Sequence, residues 1–251
     1  MQMAIAMGAL GAAAAPKEQA AGKPGWKNDD FSWIRGANYT PSYAPNDVVI
    51  WRDFDAAVVD RELGYAADLG LNSVRTFLNY IVYEADPEGF ARRFESYLAL
   101  CERHGLRAMP VLFDSCFGQE PTLDWNGHWV MNPGTSREHP DFWPKLEPYI
   151  EVLVGRHRGD ERVAIWDIMN EPVFSPGTVA FVKHWSARVR DIDSTHPVTV
   201  SVAGGLAFAN AFADDQDVIA MHSYSFPMPM LRYQIDLMLD LGRAKGKPVI
   251  I

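Results

Sequence analysis

From residue 33 onward the chain alternates between two patterns. Short runs of apolar residues, many of them β-branched, recur at 33–38, 73–77, 108–113, 163–169, 198–202, 218–221 and 248–251. Each is bounded by polar or turn-forming residues, which predicts a strand. Between most of them, apolar residues return at helical spacing. In EGFARRFESYLALCERHG, Phe90, Phe94, Tyr97, Leu98 and Cys101 fall on one helical face, and Gly105 closes the helix. FDAAVVDRELGYAADLG behaves likewise and stops at Gly70. LEPYIEVLVGRHRG and VAFVKHWSARVRDI also read as helices.

Strands that alternate with helices imply a parallel sheet. These strands are nearly continuous apolar runs, as expected when both faces of a sheet are covered. Two architectures meet that description, an open doubly wound sheet and a closed barrel. The open nucleotide-binding sheet carries a glycine-rich turn after its first strand. Here that strand leads into GANYTPSYAPND, without GxGxxG or GxxxxGK[ST]. The expected fold is therefore a (β/α)8 barrel, with about seven of its eight strands in this chain. The longest strand-free interval, residues 114–144, is expected to form a functional loop above the barrel.

In such a barrel the site lies at the C-terminal ends of the strands. The informative residues are those at or just beyond each apolar run. Strand one ends at Asn38 and Tyr39. Strand two carries Arg75, with Phe77 and Asn79 after it. Asp114 follows strand three, and Asn170 and Glu171 follow strand four. His222 and Tyr224 follow strand six. Recurring at one end of successive strands, they should converge on one pocket. Trp125 and Trp129 sit in LDWNGHWVMNPG, a stretch too polar for a core, and are candidates to stack on a ligand.

Each residue also has a plainer role open to it. Arg75 could be an ion-pair partner of Asp114 or Glu171, and His222 a satisfied core histidine. Asp114 could cap the following loop or hold Arg75. Trp125, His128 and Trp129 could simply pack the long loop onto the barrel. Glu171 has fewer alternatives: a carboxylate between Asn170 and Pro172, at the end of the buried run VAIWDIM, has few cheap structural uses.

WDIMNEP resembles the Asn-Glu-Pro motif of clan A glycoside hydrolases, the group that includes the family 5 cellulases and mannanases. SVRTF is similar to that group's strand-two segment, and MHSYS to its strand-six His-x-Tyr. The resemblance runs from about Trp33 to the end of the chain. It implies O-glycosyl hydrolysis with retention, Glu171 as general acid/base, and Asn170 on the sugar 2-hydroxyl. Arg75, Asn38, Asp114, His222, Tyr224, Trp125 and Trp129 would line the substrate site. β-Glucan, mannan and xylan all fit such a cleft. No cofactor or metal is implied.

Chemistry agrees with that assignment. One carboxylic acid protonates the leaving oxygen, and a second carboxylate, about 5–5.5 Å from it in retaining enzymes, attacks the anomeric carbon. The acid must keep its proton near neutral pH, so an apolar or anionic neighbourhood is expected around Glu171. The group's second carboxylate follows a strand-seven run like KPVII, which is where this sequence ends. The expectation is a chain cut before its nucleophile, inactive by itself. Glu120, Glu138 and Asp141 in the long third loop are the alternatives for a replacement. A non-catalytic carbohydrate-binding barrel is the competing function. A metal-dependent hydrolase ranks low, because the HxH pair expected after strand one is absent.

Composition adds limits. The formal net charge is −9, and no basic cluster exceeds a residue pair, which argues against a nucleic-acid partner. The two cysteines, Cys101 and Cys116, belong to no CxxC pair and are expected as two buried free thiols. The opening MQMAIAMGALGAAAAP resembles the apolar part of a signal peptide without its charged start, and is too short to anchor in a bilayer. Residues 1–25 are accordingly set apart as a leader and 26–251 taken as the barrel domain. The expectation is a secreted or periplasmic protein, monomeric at full length and without a membrane partner, or else a cytoplasmic one.

Overall fold

The computed structural model describes residues 31–224 and 227–251. The leader-like segment lies outside the described residues. Seven strands form one parallel sheet in the order in which they occur in the chain. They are β1 (Gly36–Asn38), β2 (Ser73–Phe77), β3 (Arg107–Asp114), β4 (Trp166–Asn170), β5 (Val198–Ala203), β6 (Ile219–His222) and β7 (Val249–Ile250). Helices alternate with them, so the architecture is a (β/α)8 barrel represented by seven of its strands.

The strands form where the apolar runs predict, with shifted ends. The first run covers two elements, a 3-10 turn at Phe31–Trp33 and then β1. In the fourth, Val163 makes only an isolated bridge to Ala108, and the ladder proper starts at Trp166. Every residue of β2 and of β4 is buried, which is why neither alternates apolar with polar.

The helices cover the sheet with their predicted faces. In α4 (Pro87–Arg103) the buried set includes Phe90, Phe94, Tyr97, Leu98 and Cys101. The Asp86 side chain caps its N-terminus on the Gly89 N–H, and Pro87 occupies the first turn, where no N–H is needed. Asp55 caps α2 (Ala56–Asp68), and Ser175, followed by Pro176, caps α6 (Pro176–Ile192). The stretch expected as one helix over 146–159 divides instead into α5 (Trp143–Ile150) and a π-helical turn at Glu151–Gly155. Pro148 lies inside α5 and brings no N–H to the helical ladder.

Two apolar clusters result. The larger lies between sheet and helices. It holds Trp51 of α1 (Asp47–Arg52) against Phe90, Phe94 and Tyr97, at ring separations of 5.2, 6.0 and 5.8 Å. The indole N–H of Trp51 donates to the Phe77 carbonyl, so a helix is tied to the end of β2. The smaller cluster, Phe31, Ala164, Ile165 and Val218, lies before β1, β4 and β6 and closes the barrel floor. The opposite end, where the strands finish, is left for polar residues.

The β3–α5 segment is pinned rather than loose. Asp114 and Asn132 pair as an antiparallel bridge. The Asn132 amide donates to the Leu78 and Leu112 carbonyls, and its oxygen accepts from the Tyr80 N–H. The loop is thereby stitched to the ends of β2 and β3.

Candidate active site

The buried half of the site starts with Arg75, which projects from the middle of β2. Its guanidinium donates to Asp167 Oδ2 from Nε and Nη2, at 2.9 and 2.7 Å. Nη2 also reaches Asn170 Oδ1 at 2.8 Å, and Nη1 reaches Asn38 Oδ1 at 3.1 Å. Ser201 of β5 donates to Asp167 Oδ2 at 2.6 Å. The Asp167 side chain is 0% exposed and that of Arg75 10%. The partner of Arg75 is thus Asp167, rather than Asp114 or Glu171. Sequence reasoning passed over Asp167 because it sits inside an apolar run. The available signal was that position: a charge within a buried strand requires a counter-charge.

Asn170, at the end of β4, links this pair to β3. Its amide nitrogen donates to Asp114 Oδ2 at 2.9 Å while its oxygen accepts from Arg75. Asp114 is buried, and its other oxygen accepts from the Cys116 N–H at 2.7 Å. Burial, reinforced by the nearby Asp47 carboxyl, pushes its pKa well up. Asp114 therefore holds Asn170 and the start of the third loop.

Glu171 comes next. Its N–H donates to the Ser201 carbonyl at 2.6 Å, and its φ is +43°, in the left-handed region that non-glycine residues rarely enter. The turn lifts the carboxylate out of the strand. His222 Nδ1 lies 2.7 Å from Oε1, the Tyr224 hydroxyl donates to Oε1 at 3.2 Å, and the Cys116 thiol donates to Oε2 at 2.9 Å. These donors, His222 foremost, hold the Glu171 pKa down to about 2 against the opposing effect of burial. The expected proton-holding neighbourhood is not what surrounds it. The groups that reach its oxygens are hydrogen-bond donors, which favour the anion.

Of the sequence-predicted residues, the structure brings together Arg75, Asn38, Asn170 and Asp114 in one network, and Glu171, His222 and Tyr224 in a second. Asn170 and Glu171 are adjacent, so the two meet. Trp129 stands edge-on to Phe77 with centroids 4.9 Å apart, and Phe77 in turn packs under the Arg75 guanidinium at 4.9 Å. Trp125 is tied into its own loop. Its indole N–H bonds the His128 carbonyl, and Arg52 holds its backbone carbonyl. Asn79, at the end of strand two, caps the helix Tyr80–Ala85.

The alternative carboxylates have other partners. Glu120 accepts from the Thr135 N–H, Glu138 accepts from the Thr178 hydroxyl, and Asp141 is solvent-exposed beside His139. Both cysteines are free, but only Cys101 is buried. Cys116 is exposed, a correction to the expectation of two buried thiols. Cys116 follows a buried strand but stands two residues beyond its end, past the buried Ser115.

No family model matches the chain. Rat (Rattus norvegicus) β-glucuronidase is 28% identical over 174 residues, 69% of this chain and 22% of that protein. Among solved structures, an exo-β-1,4-mannosidase from Opitutaceae bacterium strain TAV5 superposes with a TM-score of 0.64 at 20% identity, covering 86% of this chain and 44% of its own. An endo-β-1,4-mannanase from Thermotoga petrophila gives 0.61 at 14% identity, covering 87% and 59%. A family 5 mannosidase from Rhizomucor miehei gives 0.60 at 15%, covering 87% and 67%. The chain spans about a fifth of the length of the glucuronidase and under half of the exo-mannosidase. Among the described residues no helix is long and apolar enough to cross a membrane. In fold, the chain is the parallel βα barrel found in these glycoside hydrolases.

Proposed function

We propose that the chain is the barrel of a glycoside hydrolase that cleaves β-glycosidic bonds with retention, with Glu171 as general acid/base. One observation carries the reading. Glu171 stands at the C-terminal mouth of the barrel with His222 and Tyr224 on one carboxylate oxygen and the Arg75–Asn170 network directly beside it. A rigid strand end delivers the carboxylate, and a buried ion pair fixes the neighbouring amide, which is the preorganisation that acid/base catalysis needs. Asn170 would bond a sugar hydroxyl, and Trp129 would offer a ring face to a pyranose. Mannosidases, mannanases and a glucuronidase are the relatives. Mannan, β-glucan, xylan and aryl glucuronides are therefore the substrates to compare.

Glu171 must gain a proton to assist departure of the leaving oxygen. With the cleft empty, its donors hold it ionised. A bound sugar excludes water, and a second carboxylate opposite adds negative charge; both raise the pKa into the working range. In the clan A resemblance that second carboxylate follows strand seven.

The test is Glu171→Gln in the full-length protein. Hydrolysis of polysaccharide should fall by about 10²–10⁴-fold. Formation of the glycosyl-enzyme from aryl glycosides with good leaving groups, which need little protonation, should be far less affected. An unchanged rate on polysaccharide would sink the assignment. The second reading, a barrel that binds sugar without cleaving it, is favoured by the three donors on Glu171. It would stand if the full-length protein binds oligosaccharide but releases no sugar.

A further inference from the structure

The last residue of β3 and the two that follow it hold three parts of the β4 turn. Asp114 accepts from the Asn170 amide at 2.9 Å. The Ser115 hydroxyl bridges the turn, accepting from the Val173 N–H at 2.9 Å and donating to the Glu171 carbonyl at 3.5 Å. Cys116 then places its sulfur 2.9 Å from Glu171 Oε2, with its own N–H anchored on the buried Asp114. Backbone and side chain of Glu171 are thus gripped by one tripeptide. That grip matters because the backbone of Glu171 is left-handed, a conformation that persists only where its surroundings impose it.

We propose that Cys116 is a positioning residue for Glu171, its thiol holding Oε2 while His222 and Tyr224 hold Oε1. Oε1 has two partners, and Oε2 has the thiol, which can both donate and accept. When the carboxylate is ionised, S–H donates to Oε2. When Glu171 carries a proton on Oε2, that O–H can turn onto the sulfur, and the contact survives in both states. The thiol therefore keeps the carboxyl from rotating. The Cys116 pKa, pushed up to about 12 by desolvation and by the Glu171 carboxylate, is consistent with a thiol that stays protonated as a donor. The catalytic meaning of this contact rests on Glu171 being the acid/base, but the contact itself is measurable without turnover.

The experiment follows alkylation of the full chain by iodoacetamide from pH 7 to 10, with Cys116 and Cys101 resolved by peptide mass spectrometry. Cys101, buried, serves as the unlabelled internal control. In the wild type Cys116 should react at least about tenfold more slowly at pH 8 than an unstructured cysteine peptide. Glu171→Gln removes the anion and should accelerate the reaction about tenfold or more, since one unit of thiol pKa is a tenfold change in thiolate at a given pH. In the reverse direction, the carbon-13 titration of the Glu171 carboxyl should move up by about one unit in Cys116→Ala and stay near the wild-type value in Cys116→Ser, whose hydroxyl can make the same contact. A purely structural cysteine would move neither. Equal alkylation rates in wild type and Glu171→Gln, or a Glu171 titration unmoved in Cys116→Ala, would overturn the proposal. A chain that hydrolyses no glycoside at all would defeat the functional reading and leave these two measurements as they are.

Discussion

His222 and Glu171 are 51 residues apart in the chain and meet at 2.7 Å across the barrel mouth. Of the contacts to Glu171, this one does most to hold its pKa at about 2. A carboxyl whose folded pKa is depressed stabilises the fold fully above its unfolded value, near 4.5, and loses that contribution as the pH falls through about 2.

His222→Ala should therefore raise the Glu171 pKa towards the ordinary carboxylate range. It should also cost about 1 kcal/mol of stability near pH 7, a figure already reduced for the partial exposure of the pair. The loss should shrink as the pH is lowered from 5 towards 2. Denaturant unfolding of both proteins across that range checks the sign, and a penalty that grows on acidification would contradict it.

Asp167→Ala leaves the Arg75 guanidinium without its buried counter-ion. The expected cost is about 3–5 kcal/mol, enough to threaten the fold. Arg75→Met together with Asp167→Leu removes both charges and should recover a large part of that loss. Urea titration of the single and double variants measures the difference. Equal stability of the two would mean that the pair is not the reason.

Trp129→Ala should weaken oligosaccharide binding about tenfold, because Trp129 is coupled through Phe77 to Arg75. Trp125→Ala, on a ring bonded to the His128 carbonyl of its own loop, should change binding less than twofold. Calorimetry with the best ligand of the substrate panel separates them, and a reversed order would show that the wrong tryptophan had been assigned to the cleft.

Gly242 lies in the helix Met228–Lys245, where an added Cβ would fall 2.5 Å from Val249 Cγ2 and 2.8 Å from the Lys247 carbonyl oxygen. Gly242→Ala should lower stability by about 1–3 kcal/mol by pushing this helix off β7. A thermal melt unchanged to within a degree would show that the approach has slack.

Much of this was legible in the sequence, and the exceptions have physical causes. Strands β2, β3, β5 and β6 announced themselves by short runs of apolar and β-branched residues between turn-forming stretches. Trp33 and Val163 were drawn into strands since their side chains are as apolar as the ladder residues; what sets them apart is that they stand outside the continuous ladders, which no one-dimensional pattern records. The short helices Asp47–Arg52, Tyr80–Ala85 and Leu206–Phe212 span too few turns to display a period. Arg75, Asn170, Glu171 and His222 were found because strand ends in a barrel share one mouth. Asp167 and Cys116 were not: their importance lies in contacts with residues 92 and 55 positions away, Arg75 and Glu171.

The sheet order has a consequence for how the molecule is made. Each strand from β2 to β7 pairs with the strand immediately before it in the chain. During translation, then, each emerging strand from β2 to β7 finds its template already synthesised. Strands β1 to β4 can assemble while β6 is still within the ribosome, with the Arg75–Asp167 pair already closed and Glu171 already turned outwards. His222 arrives afterwards, so the candidate site is completed from one side to the other in the order of synthesis.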